Sequence, residues 1–205
     1  MKAYTHQKNI MVGENSMDIV KIYSNMMKKH HKKTNLISNM IQLGLYYEYL
    51  NKKYFYNKNN VQALNELNKI SIQYILKALK NPNETAWVNL FSPSEILHAF
   101  ELHPLFIESF SSFLAGFKVQ DLYIEAANNC GMADSLCSYH KAFIGAVEAD
   151  LLKKPIYALT SSSICDANIG TFAYLSKKLS IPYFLMDIPH KKNEKAVCYV
   201  VNQLN

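Results

Sequence analysis

Apolar residues recur at helical spacing through the first 84 or so positions, and at strand spacing beyond them. Ile19, Ile22, Tyr23 and Met26 fall at i, i+3, i+4 and i+7, which marks one face of a helix, with Asn15 or Ser16 as its N-cap. A second stripe runs through Leu36, Met40, Leu43, Tyr47, Leu50 and Tyr54. A third joins Ile72, Ile75, Leu76 and Leu79, and Asn81-Pro82 stops it. Each stripe predicts a packing face. The tyrosines Tyr46, Tyr47, Tyr49, Tyr54 and Tyr56 also suit a helix face laid against another domain or subunit, although a core is the simpler destination.

The pattern then changes. Residues 86–91 read as a strand, and Ser92-Pro93-Ser94-Glu95 opens a helix in the manner of a capping box, with proline in the first turn. Helices are predicted near 104–115, 121–129 and 136–152. Residues 155–160 form a buried parallel strand, a helix follows over 167–179, then a strand at 183–186 and a last helix near 193–204. Strand and helix alternating at this spacing predict an α/β fold, a doubly wound, Rossmann-like and mostly parallel sheet preceded by an N-terminal helical region. The boundaries expected are 1–84 for the helical region and 85–205 for the α/β domain. Ligands of such sheets sit beyond the C-terminal ends of the strands, where Ser92, Cys165 and Asp187 fall.

Composition narrows the classes. The chain has 205 residues, 49% of them hydrophobic and 19% charged, a net charge of +6 and four cysteines. That is ordinary for a folded protein. No apolar run reaches the roughly 18 residues of a membrane helix, and the first residues lack the apolar core of a signal peptide. A cytoplasmic protein with no membrane association is expected, its cysteines being thiols or metal ligands. Residues 1–84 carry 13 lysines against 5 acidic residues, whereas 85–205 carry 9 against 11. There is no arginine, the residue most used for bidentate contacts to bases and phosphates, so no nucleic-acid partner is expected. The run Lys28-Lys29-His30-His31-Lys32-Lys33 reads as the solvated end of a helix.

The candidate chemistry lies in two short segments. Cys137 and Cys165 each stand at the predicted start of a helix, Cys165 just after a strand. A helix N-terminus offers free N–H groups and the positive end of the dipole, both favourable to a thiolate, the form that binds metal or attacks electrophiles. No spacing here matches a zinc ribbon or finger. On chemistry alone the pair is open between small buried hydrophobes and thiolates that converge on a cluster. His140, three residues after Cys137, could face the same site. Cys130 and Cys198 read as packing residues, Asp166 as a first-turn dipole partner and Asp187 as a loop cap.

Three ordered motifs, DSLCSYHKAFIG at 134–145, ALTSSSICD at 158–166 and IPYFLMDIP at 181–189, resemble the 2-hydroxyacyl-CoA dehydratase family, which includes the benzoyl-CoA reductase subunits. The likeness covers residues 85–205. It implies α/β domains that hold a [4Fe-4S] cluster through three cysteines, with Cys137 and Cys165 as two of these metal ligands. It implies an ATP-dependent activator protein as electron donor, a dimer with a homologous second subunit or with itself, and an acyl-CoA substrate. The (R)-2-hydroxyacyl-CoA would lose water reductively, through a ketyl radical, to give the trans-2-enoyl-CoA. By the same likeness Ser92 and Glu108 are the catalytic candidates, the first a hydroxyl near the open iron, the second a carboxylate near the active site. The plain alternatives are an N-cap serine and a solvated helix glutamate. The third ligand cysteine of the family lies in a second α/β domain that is absent here, so a fragment, a truncated reading frame or half of a split subunit is expected. The rival readings are a non-catalytic partner subunit and a related ATP-dependent low-potential reductase.

Overall fold

The computed structural model describes residues 19–55 and 61–204. The N-cap expected at Asn15 or Ser16, and Tyr56, lie outside the described residues. Three helices come first, α1 (Ile19–Lys29), α2 (Thr34–Tyr54) and α3 (Gln62–Lys80). They lead through a 3₁₀ turn at Pro82–Glu84 into β1 (Thr85–Val88), α4 (Ser94–Ala99), β2 (His103–Phe106), α5 (Ile107–Gly116), α6 (Gln120–Asn129), α7 (Ser138–Glu148), β3 (Tyr157–Ser161), α8 (Asp166–Leu179), β4 (Tyr183–Met186) and α9 (Glu194–Gln203).

The four strands form one parallel sheet in the order β2-β1-β3-β4. The chain leaves β1 for the edge, then crosses back to β3 on the other side, which makes the gap between β1 and β3 a topological switch point. All four residues of β1 are buried, as a central parallel strand covered on both faces requires. Alternation along the strands splits the core. Ala86, Val88 and Leu159 meet Leu97 of α4 on one face. Trp87, Leu105 and Ala158 meet Phe110, Phe143 and Phe172 of α5, α7 and α8 on the other. There Trp87 and Phe110 both strike the Phe143 ring edge-on, at centroid distances of 5.0 and 5.9 Å, the arrangement that suits the ring quadrupoles. The doubly wound sheet behind a helical region is thus the fold the patterning predicts.

Several local expectations are corrected. The helix expected over 104–115 begins only at Ile107, because residues 103–106 pair with β1 as the edge strand β2. Pro104 reads as a helix-opening residue, but it is equally at home on an edge strand, where its missing N–H faces no partner. In α1 the buried residues are Ser24 and Met27, while Ile19, Ile22 and Met26 are exposed. In α2 the packed face is Ile37, Met40, Ile41 and Leu45, and Leu36, Leu43, Tyr47 and Tyr54 turn outward. Both helices carry apolar residues on more than one face, and period alone does not say which face finds a partner. In α3, Ile72 and Ile75 are buried as expected. No residue of α9 is buried, so Cys198 is exposed rather than packed.

Candidate functional site

The C-terminal ends of β1 and β3 flank the switch point, and the segments that leave them carry most of the polar side chains in question. Cys137 is the N-cap of α7, with extended backbone (φ −51, ψ 135). Cys165 is the N-cap of α8 (φ −137, ψ 115). Both thiols are free, Cys137 exposed and Cys165 half-buried. Neither helix receives a side-chain cap hydrogen bond, so first-turn N–H groups of each are open to an anion. Asp166 sits in the first turn of α8, where its charge favours the dipole.

Contacts below the two caps join the helices. The buried ring of His140, one turn into α7, meets Thr171 Oγ1 of α8 through Nδ1 at 2.9 Å. Burial lowers the pKa of His140, which favours the neutral imidazole. Lys141, buried on the same helix, donates from Nζ to the Asp134 carbonyl at 3.0 Å and ties down the loop that delivers Cys137. On the other side, Ile164 adopts φ 72 directly before Cys165. A β-branched residue in the left-handed region is strained, and here the strain sits where the chain turns from β3 toward the thiol.

Ser92 does not cap α4, whose N-cap is Pro93. The Ser92 hydroxyl points back into the sheet edge, toward Asn89 Oδ1 and toward the Leu159 carbonyl at 3.0 Å. Asn89 Oδ1 also accepts the Ser161 backbone N–H at 3.3 Å. Asn89, fully buried, therefore links the loop after β1 to the end of β3. Sequence reasoning missed it, although an asparagine directly after a buried apolar strand and three residues before Ser92 was a usable signal. Glu108 stands in the first turn of α5 rather than on a solvated surface. Burial raises its pKa, partly offset by the backbone N–H groups of Glu108 and Leu90. Its Oε2 is buried with no hydrogen-bond partner among the described residues.

Asp187 does more than cap its loop. Its carboxylate accepts from Ser162 Oγ at 2.8 Å and from the Tyr199 hydroxyl at 3.0 Å, and its backbone pairs with the Gln203 side chain at 2.8 and 2.9 Å. Asp187 thereby fastens α9 to the end of β4. Cys130 is also exposed and lies elsewhere, beside Glu148 at the far end of α7, where Tyr174 and Lys178 reach the same carboxylate at 2.5 and 2.6 Å.

A parallel sheet behind a helical region, with Cys137 and Cys165 on the N-caps of two of its helices, defines a doubly wound, Rossmann-like α/β protein. The chain belongs to the family of the 2-hydroxyglutaryl-CoA dehydratase D-component, whose model it matches over residues 89–205, more than half of its length. It is also 25% identical over 130 residues to the "(R)-2-hydroxyisocaproyl-CoA dehydratase alpha subunit" of Clostridioides difficile. That match covers 61% of this chain but only 32% of the relative, so the chain spans about a third of the relative's length.

The family raises the question of an iron–sulfur cluster. Cys137 and Cys165 have suitable donor chemistry and suitable exposure. Among the described residues, however, no group of three or more His, Cys, Asp or Glu is arranged to hold a metal ion. The described residues thus hold four free cysteines but do not by themselves complete a metal site. No helix among them is long and apolar enough to cross a membrane.

Proposed function

We propose that this chain provides the cluster-binding α/β portion of an iron–sulfur 2-hydroxyacyl-CoA dehydratase subunit, which converts an (R)-2-hydroxyacyl-CoA to the trans-2-enoyl-CoA. The observation that carries this reading is the placement of Cys137 and Cys165 on the N-caps of two helices tied together by the His140–Thr171 contact, beside a parallel-sheet switch point. A [4Fe-4S] cluster would take these two thiolates and one further donor from outside the described residues. In this reading the chain works in the cytoplasm in a dimer with a homologous subunit or with itself, and an ATP-dependent activator supplies electrons.

The chain's own residues have definable parts. Ser92 directs its hydroxyl proton inward, to Asn89 or Leu159, so only oxygen lone pairs remain to accept a hydrogen bond from substrate or water. Glu108, with its affinity for a proton raised by burial, can hold one closer to neutral pH and deliver it to a departing hydroxide. A second reading, a partner subunit without catalysis of its own, draws on the apolar groove of about 710 Å³ between α1, α2 and α5, lined by Ile19, Tyr23, Leu43, Tyr47, Phe113 and Phe117. A low-potential reductase would differ in product, consuming an acyl-CoA without forming the enoyl-CoA.

Anaerobic incubation with ferrous iron and sulfide, followed by desalting and assay of bound iron and sulfide, tests the central claim. The parent chain, assembled with the segment or subunit that supplies the further donor, is expected to retain both, and Cys137→Ala and Cys165→Ala each to lose most of them. Retention unchanged in either variant overturns the assignment of that cysteine.

A further inference from the structure

Among the described residues, five buried side-chain nitrogen or oxygen atoms have no hydrogen-bond partner. Three of them, Asn89 Nδ2, Thr160 Oγ1 and Asn168 Oδ1, belong to residues that are at most 1% exposed. Native proteins keep few such atoms, because each unpaired buried group costs on the order of 1–3 kcal/mol.

Their positions in the fold bring them to one place. The β1–β3 register pairs Trp87 with Ala158 and Val88 with Leu159, so the next pair is Asn89 opposite Thr160. Alternation puts Thr160 on the face of Ala158, and Asn89 follows Trp87 by two residues onto the same face. Asn168 lies in the first turn of α8, on the stripe it shares with buried Phe172 and Leu175, which packs on that face. All three therefore border the seam between the sheet's C-terminal edge and the first turn of α8, just below the Cys165 cap.

The chemistry of the three atoms selects the ligand. Asn89 Oδ1 accepts a backbone N–H from Ser161, which can only donate, so the amide is not flipped and Nδ2 is a donor. Asn168 Oδ1 accepts, and the Thr160 hydroxyl can do either. A cation would be repelled by the Asn89 amide hydrogens. His140, which meets Thr171 one turn further along α8, has its pKa lowered by burial. A small neutral molecule that both donates and accepts satisfies the set, and three polar partners is the usual complement of a buried water.

We propose that Asn89, Thr160 and Asn168 hold one ordered water in this seam, and that the water fixes the Asn89 amide whose other end positions Ser92. The site is independent of the cluster assignment and is read on the protein without iron. A crystal structure that resolves solvent is expected to show a water within hydrogen-bonding distance of all three atoms. Direct pairing of the three, with no water, overturns the site. Thr160→Val keeps the shape and removes one contact. It is expected to lower the urea midpoint, whereas an idle hydroxyl would leave the midpoint unchanged or higher, which also overturns the site. Asn168→Leu is expected to cost less in the Thr160→Val background than in the parent, because the shared water has already been lost. Equal costs in both backgrounds would mean that the two residues share no ligand.

Discussion

Glu108 is a residue whose environment contradicts its usual place in a protein. A carboxylate in the first turn of a helix is ordinarily solvated and helped by the dipole, yet here desolvation dominates and lifts its pKa above the ordinary 4.5. The consequence for stability has a definite sign. Between the ordinary value and the raised one, the folded protein keeps a proton that the unfolded chain has released, so stability falls as pH rises through that window. Above the raised value the penalty is complete. Glu108→Gln removes the titration, and its stability relative to the parent is therefore expected to improve as pH rises from below 4.5 toward neutrality. Urea denaturation of both proteins across that range reads the difference. A gap that does not change with pH would place Glu108 in water.

At the scale of elements, α6 and α7 meet backbone to backbone at Gly145. A Cβ on Gly145 would stand 1.7 Å from the Tyr123 carbonyl oxygen and 2.5 Å from its carbon. Backbone cannot move aside as a flexible side chain can. Gly145→Ala is thus expected to cost about 3 kcal/mol, read as a lower denaturation midpoint, and a parent-like midpoint would contradict this packing. Sequence did mark part of this level. The 183–186 strand, the 167–179 helix and the cysteine-capped helix starts were all legible, because buried parallel strands and N-caps have local signatures. The edge strand β2 was not, since Pro104 and four residues of chain give no period to read. Nor was Asn89, whose importance comes from Ser161, a residue 72 positions away that only the sheet brings beside it. The outward turn of the α1 and α2 stripes was hidden for the same reason, as a helix with two apolar faces leaves the choice to its neighbours.

At the scale of the whole molecule, the helical region and the sheet share a core. One continuous cluster contains Met27 of α1, Ile37 and Leu45 of α2, and Ile72 and Ile75 of α3, together with Trp87, Leu105 and Phe110 of the α/β layer. Two regions that each bury their apolar surface against the other cannot lose it separately, since unfolding the helices would expose the α/β residues packed on them to water at roughly 25 cal/mol per Å². The expected behaviour is one cooperative transition, in which calorimetric and van't Hoff enthalpies agree and tryptophan fluorescence, which reports Trp87 in β1, changes together with the helical circular dichroism. The sequence contains a single tryptophan, so that optical comparison has one origin. Two resolved transitions, with helical signal lost before the Trp87 signal moves, would instead establish 1–84 and 85–205 as domains that fold independently.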